Sequence, residues 1–301
     1  MKIFITGGLG FVGRHLSKAL LEDGHQITAV GRTDKPAAMI VDPSFNYLAA
    51  DTTKSGDWQK TVAKHDIIIN LAGKSIFCFW SKKAKEQMYN SRILTTRNLA
   101  DSLAGAGDII FFSTSAVGYY GDRGEDVLTE DEPPGTDFMA TLVRDWEEEA
   151  LRAKSDRIRI ILPRFGIVLG RGGGAMASMI PAFKLFLGGQ LGSGRQWFPW
   201  IHLHDLIAAY RFAIGHPEIT GPANWCAPHP IRNQELTATL SRKLNRPAML
   251  PAPAFMMKTL LGEFGEALLC SQRVQPNVLQ NAGFQFTYGD IDSALDEIVQ
   301  R

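Results

Sequence analysis

Cysteine is scarce in this chain. Cys78, Cys226 and Cys270 lie far apart among 301 residues, and an odd, widely spaced set supplies neither a disulfide framework nor a zinc-ligand pattern. They read as free thiols of a reducing compartment, so a cytoplasmic protein without a metal site is expected. Net charge is nearly absent as well: 32 Lys and Arg against 31 Asp and Glu leave +1. A surface that binds nucleic acid needs an excess of basic charge, so no such partner is expected. Long apolar runs are missing. The nearest, at 180–187, is interrupted by Lys184 and falls well short of the ~20 residues of a membrane helix, so no membrane partner is expected either. Met1-Lys2 passes directly into Ile3-Phe4-Ile5-Thr6 and then glycine, which leaves no apolar stretch for a signal peptide.

What remains is an ordinary globular composition, 45% apolar and 21% charged, in which short β-type runs alternate with amphipathic helical stretches. That alternation predicts a doubly wound α/β fold of Rossmann type, with a parallel sheet and crossover helices. Strands are expected at 2–6, 25–30, 45–49, 67–71, 108–113 and 157–162. Helices are expected at 11–22, 82–103 and 138–153. Beyond residue 163 the texture becomes rich in glycine and proline, with helices expected at 175–187, 203–215, 233–244, 253–261 and 291–299. The division that follows is a nucleotide-binding domain at 1–165, to which 195–230 returns, and a smaller, mostly helical C-terminal lobe from 166–194 and 231–301.

The sharpest motif is Gly7-Gly8-Leu9-Gly10-Phe11-Val12-Gly13. It fits both G-x-G-x-x-G and G-x-x-G-x-x-G, and it stands between a strand and a helix with a second strand about a dozen residues on, where a dinucleotide loop belongs. Glycine there lets the backbone approach a pyrophosphate, and the N–H groups of Phe11 and Val12 begin a helix whose positive end faces the phosphates. The second strand ends Ala29-Val30-Gly31-Arg32, with no acid in place for a ribose 2′-hydroxyl. A guanidinium at that point forks onto a 2′-phosphate, so the expected cofactor is NADP(H). Asp34 is the rival that would favour NAD. The fourth strand ends Asn70-Leu71-Ala72-Gly73, and Leu71, Ala72 and Gly73 are small or narrow enough to pass close to a ribose at the carboxyl edge of the sheet.

These segments together resemble the short-chain dehydrogenase/reductase superfamily, in its extended, NAD-dependent epimerase/dehydratase-like branch. Further pieces of the resemblance are Ser113-Thr114-Ser115 before Tyr119-Tyr120-Gly121, then Pro163-Arg164-Phe165-Gly166, and Phe198-Pro199-Trp200-Ile201-His202. The sequence is nearer still to the YfcH-like "epimerase family" proteins, through Asn90-Ser91-Arg92, Arg144-Asp145-Trp146-Glu147, Gly172-Gly173-Gly174-Ala175-Met176 and the C-terminal Gly283-Phe284-Gln285-Phe286. The resemblance spans essentially the whole chain. It implies an NADP-binding sheet and a C-terminal substrate lobe, but no particular reaction.

One absence concerns the chemistry itself. Ordinary members of that superfamily carry Tyr-x-x-x-Lys on the helix after the fifth strand, where the lysine cation eases proton exchange by the phenol. No tyrosine here is followed four residues later by lysine, and Phe138 and Leu142 stand where the pair belongs. Ser115, Tyr119 and Tyr120 are the replacement candidates for catalysis. Ser113 faces either a substrate carbonyl or the nicotinamide ribose. Arg164, at the end of the sixth strand, faces either a buried acid or the cofactor. His202, His204 and Asp205 could serve a metal, a base or a helix start. Two functions are open at this point. One is an NADP-dependent oxidoreductase or epimerase-like enzyme with an atypical active site, acting on a small polar, sugar- or nucleotide-derived molecule. The other is a non-catalytic NADP(H)-binding sensor or scaffold. Either would work as a monomer or homodimer.

Overall fold

The computed structural model describes residues 1–34, 40–248 and 250–300. Its first half is the predicted alternation. β1 (Lys2–Thr6) leads into α1 (Phe11–Glu22), followed by β2 (Gln26–Gly31) and β3 (Phe45–Ala49). A single turn, α2 (Gln59–Val62), precedes β4 (Ile67–Asn70), and α3 (Lys82–Ser102) crosses to β5 (Ile109–Ser113). The two-residue strand β6 (Ser115–Ala116), a 3-10 turn at Val117–Tyr120 and β7 (Val127–Leu128) come before α4 (Phe138–Leu151) and β8 (Ile158–Phe165). β1, β4 and β5 lie at the centre of the sheet and are buried at nearly every position, the mark of parallel strands covered on both faces.

The second half is β9 (Ile167–Leu169), α5 (Met176–Lys184), β10 (Trp197–Phe198), β11 (Trp200–His202), α6 (Leu203–Gly215), β12 (Gly221–Trp225), β13 (Ile231–Arg232) and α7 (Asn233–Leu244). After these come α8 (Ala254–Leu261), α9 (Glu263–Ala267), β14 (Arg273–Val274), α10 (Asn277–Asn281) and α11 (Ile291–Val299). The main sheet runs β12-β8-β5-β4-β1-β2-β3, with β6 beside β8, and every pairing in it is parallel.

Two cores flank this sheet. On one face Leu16 and Leu20 of α1 and Leu206, Ala209 and Tyr210 of α6 meet Ile5, Ile69 and Phe112. On the other, Leu99 of α3 and Ala150 of α4 meet Phe4, Ile68 and Phe111. A third cluster joins Met176, Trp200, Leu236, Leu240, Ile291 and Leu295 in the C-terminal part. The spacing of the α1 residues is that of one helical stripe, and Met88, Ile93, Thr96 and Leu99 of α3 are likewise buried.

The structure departs from the sequence expectation chiefly at β12. Its Gly-Pro opening, within a stretch that reads as loop, belongs to an edge strand, where proline's missing N–H costs no ladder bond. β8 also continues through Pro163 to Phe165. Its pairing with β5 ends at Ile161 and that with β6 begins at Arg164, so Pro163 sits in the gap.

Candidate functional site

The carboxyl ends of β1, β2, β4 and β5 meet at the glycine loop. Gly7 takes a φ of +69°, a left-handed conformation that glycine adopts without strain, and its N–H donates to the Val30 carbonyl at 2.8 Å. A Cβ on Gly13 would lie 2.2 Å from the Gly7 carbonyl oxygen, so α1 approaches β1 this closely only because position 13 has no side chain. Gly10 caps α1 in an extended conformation with no side-chain hydrogen bond. The amides opening the helix, Phe11 and Val12 among them, therefore have no side-chain acceptor at the cap. The Phe11 ring packs against Gly170, Gly173 and Gly174, and Val12 joins the core below α1.

Arg32 follows β2 directly and is exposed, as is Asp34. Arg32 reaches the field of Asp51 beyond β3, whose carboxyl is held below its usual value first by the Thr53 hydroxyl and to a smaller extent by Arg32. Residues 35–39 lie outside the described part of the chain.

β4 ends in a polar chain that crosses the sheet. Thr6 Oγ1 donates to Asn70 Oδ1 at 2.7 Å, Asn70 Nδ2 donates to Thr96 Oγ1 at 2.8 Å, and Trp146 Nε1 donates to the same Thr96 oxygen at 2.7 Å. These bonds fix the turn into Leu71, Ala72 and Gly73. The Ala72 N–H leans toward Thr6 Oγ1 and Asn70 Oδ1 at 3.3 and 3.4 Å, and Gly73 lies against the Arg92 guanidinium. Ser113 sits beside Asn70 in the register of β4 and β5. It is 1% exposed and its hydroxyl has no partner among the described residues. A buried hydroxyl without a partner costs about 1–3 kcal/mol. An orphan of this kind at the end of a central strand, together with a glycine cradle that has no room for a Cβ, fits a polar ligand completing the site.

The remaining sequence candidates come together in one buried network. Arg164 is 2% exposed and grips Glu147 with both forks, Nε to Oε1 at 2.8 Å and Nη2 to Oε2 at 2.9 Å. Its Nη1 donates to the Tyr120 hydroxyl at 2.9 Å and to the Glu130 carbonyl at 3.2 Å. Tyr120 in turn donates to Asn224 Oδ1 at 2.7 Å, and Ser115 donates to Glu147 Oε1 at 2.5 Å. Of the two partners open to Arg164 in the sequence, the side chain takes the buried acid rather than a cofactor group. The Ser115 and Tyr120 protons are likewise spent inside the fold. Burial, the largest influence, pushes the Tyr120 phenol well above its usual value despite Arg164 and Asn224, which makes it a weaker acid than a free tyrosine. Tyr119 differs: it is half-buried, its ring lies 3.6 Å from Arg164 Cζ, and its hydroxyl has no protein partner among the described residues. Glu147 and Asn224 were not singled out from sequence. Glu147 is hidden in an acidic run, and its only signal is the apolar spacing of Leu142, Val143, Trp146 and Ala150 that turns position 147 inward.

At the positions of the missing pair, Phe138 opens α4 just after the Asp137 cap and meets Trp80 edge-on at 5.5 Å, while Leu142 is fully buried. No proton-transfer group stands at either. His202 and Asp205 serve local structure: His202 contacts Glu297 at 3.2 Å and packs against the Tyr288 ring at a tilt, and Asp205 accepts the N–H groups of Thr287 and Tyr288. His204 is exposed beside Asp205. Among the described residues no group of His, Cys, Asp and Glu is arranged to hold a metal, and no helix is long and apolar enough to cross a membrane.

Comparison with known proteins covers the whole chain. Residues 3–224 match the model of the NAD dependent epimerase/dehydratase family, and residues 252–298 match a domain of unknown function, DUF1731. The Arabidopsis thaliana "Epimerase family protein SDR39U1 homolog, chloroplastic" is 39% identical across 100% of this chain and 87% of its own length. A Staphylococcus epidermidis epimerase family protein is 36% identical across 99% of each chain. The crystal structure of human epimerase family protein SDR39U1 (isoform2) with NADPH superposes at a TM-score of 0.88, with 32% identity and full coverage of both chains. The UDP-glucuronic acid 4-epimerase of Bacillus cereus, at a TM-score of 0.81, 17% identity and coverage of 99% of this chain and 98% of its own, shares the fold. The chain belongs to the NAD dependent epimerase/dehydratase family.

Proposed function

We propose that this protein is an NADP(H)-dependent oxidoreductase or epimerase-like enzyme with an atypical active site, acting on a small polar molecule of sugar- or nucleotide-derived type. The observation that carries the proposal is the glycine cradle: α1 closes on β1 at Gly13 and presents uncapped amides where a pyrophosphate needs donors. The NADPH bound to the human relative supports the same choice of cofactor.

In this reading Gly7, Gly10 and Gly13 let the backbone near the pyrophosphate, and the amides of Phe11 and Val12 donate to it. Arg32 neutralises the 2′-phosphate. Leu71, Ala72 and Gly73 run beside a ribose, and the Ser113 hydroxyl finds its missing partner on the cofactor. When bound, NADPH supplies a hydride from its dihydronicotinamide ring. Arg164, gripping Glu147 and lying under the Tyr119 ring, positions that tyrosine rather than touching the cofactor. Of Ser115, Tyr119 and Tyr120, Tyr119 is the proton donor, because its hydroxyl is the one not engaged within the fold. Three free thiols are consistent with a reducing, cytoplasmic setting.

The engagement of Ser115 and Tyr120 favours a second reading, a non-catalytic NADP(H)-binding sensor whose C-terminal lobe responds to the cofactor. Both readings require the cofactor, so its binding is tested first. Titration calorimetry with NADPH and NADH is expected to show Arg32→Ala losing about ten- to hundredfold in NADPH affinity, the worth of one charged hydrogen bond, with NADH binding nearly unchanged. Equal losses for both cofactors would overturn the Arg32 assignment.

A further inference from the structure

Arg92 projects from α3 toward the end of β4 and is balanced differently from Arg164 and Arg159. Arg164 spends its charge on Glu147. Arg159 is wrapped by the carbonyls of Ala213, Ile214, His216 and Ile219. Arg92 uses one nitrogen only: Nη1 donates to the carbonyls of Lys74 at 3.0 Å and Met88 at 3.2 Å. Its guanidinium lies 5.2 Å from the centre of the Trp146 ring, the residue that anchors Thr96 and through it Asn70. No carboxylate pairs with it among the described residues. Nε and Nη2 have no acceptor there, and neither is sealed off as a buried orphan.

Gly73 lies against the face of the guanidinium, beside its Nε–Nη2 half. A Cβ at position 73 would lie 3.1 Å from Arg92 Cζ, 3.2 Å from Nη2 and 3.4 Å from Nε. The Nε–Nη2 edge is the one with which Arg164 holds both oxygens of Glu147. Two parallel N–H groups in one plane match two oxygens of a carboxylate or phosphate. Burial has already drawn the Arg92 guanidinium down to about 10, which means that the folded chain carries a partly desolvated cation without a counter-ion. An oxyanion arriving at the open edge would relieve that burden.

We propose that Arg92 is the anion-binding residue of the substrate site, its Nε–Nη2 edge taking a carboxylate or phosphate group of a small substrate at the carboxyl edge of β4. The proposal rests on the NADP(H) reading for the identity of the neighbouring site, and it narrows the polar substrate to an acidic one. Gly73 lets the backbone lie against the face of the guanidinium, the Trp146 ring lies 5.2 Å from it, and the Lys74 and Met88 carbonyls set its rotation. A phosphate of the cofactor itself is the competing source of the oxyanion.

The test uses the full chain, with and without saturating NADPH, titrated with malonate and with inorganic phosphate at constant ionic strength while melting temperature is followed. The wild type is expected to give a saturable rise with at least one anion. Arg92→Gln is expected to weaken that response by about ten- to hundredfold, Arg92→Lys to keep part of it, and NADPH affinity to stay within about twofold in both. An unresponsive wild type, or an equal response in Arg92→Gln, overturns the proposal. A tenfold loss of NADPH affinity in Arg92→Gln overturns it too, and assigns the residue to the cofactor. Phenylglyoxal labelling of the wild type, mapped by mass spectrometry, needs no variant: the same anions are expected to protect Arg92, and unprotected labelling refutes the site. A wild type that binds no NADPH defeats the cofactor reading, while the titrations without NADPH still decide this one.

Discussion

Replacing Glu147 with Gln is the most direct test of whether the Ser115–Glu147–Arg164–Tyr120 network is a frame or a catalytic device. The carboxylate accepts two bonds from Arg164, at 2.8 and 2.9 Å, and a third from Ser115 at 2.5 Å. Gln keeps one oxygen but turns an NH2 group toward a donor, and it leaves Arg164, 2% exposed, charged without an anion. Breaking a buried pair in this way costs about 3–5 kcal/mol. At roughly 2 °C per kcal/mol for a chain of this size, the melting temperature is expected to fall by about 6–10 °C. The double variant Glu147→Leu with Arg164→Met removes both charges, so it is expected to recover most of the loss, because charge burial and charge attraction disappear together. Chemical denaturation of the wild type, Glu147→Leu, Arg164→Met and the double variant gives the coupling. A change below about 1 kcal/mol in Glu147→Gln, accompanied by lost turnover in a still folded protein, would refute the structural assignment and return Glu147 and Ser115 to the chemistry.

Two further variants separate site from scaffold. Ser113→Ala removes a buried hydroxyl that has no protein partner, so the chain without cofactor is expected to gain about 1 kcal/mol while NADPH affinity falls several-fold; calorimetric melting and NADPH titration read both signs, and unchanged affinity would mean that the hydroxyl does not meet the cofactor. Tyr119→Phe is expected to lower NADPH-dependent turnover by about 10²–10⁴ without altering NADPH binding, once a substrate is found by following NADPH absorbance; undiminished turnover would remove Tyr119 as the proton donor.

The parts of the molecule that were legible in the sequence are those governed by local pattern. The runs Lys2–Thr6 and Ile67–Asn70 announce strands because they are apolar and bounded by glycine or turn residues, and α1 shows its buried stripe in the spacing of Leu16, Ala19 and Leu20. The glycine loop is legible for the same reason, since its requirement is steric and each glycine stands within seven residues of the others. β12 was legible only in part: the segment 195–230 was expected to return to the sheet, and β12 within it pairs with β8, but its Gly-Pro start reads as a loop rather than a strand. The Glu147–Arg164 pair was beyond local pattern too. The apolar spacing of α4 turns position 147 inward, but seventeen positions separate the partners and nothing local pairs that acid with Arg164. Ser115 and Tyr120 read as reactive because their alternatives, Glu147 and Asn224, are distant in the chain.

The loss of Tyr-x-x-x-Lys and the placement of Arg92 bear on one another. Phe138 and Leu142 leave α4 with neither phenol nor amine at the expected positions, and the open cation at this end of the sheet comes instead from α3. An arginine is not a substitute lysine in chemical terms. Burial lowers the pKa of the Arg92 guanidinium, yet an arginine stays charged throughout the neutral range, so it holds charge and does not exchange protons. Its capacity is to fix an acidic substrate by two parallel bonds and to stabilise negative charge near it. The proton that accompanies hydride transfer must then come from another group. Ser115 and Tyr120 are bound within the fold, which leaves Tyr119, solvent, or the substrate's own acid. If Tyr119→Phe leaves turnover intact while Arg92→Gln abolishes it, the division is settled in favour of an enzyme that positions an acidic substrate and takes its proton from water or from the substrate itself.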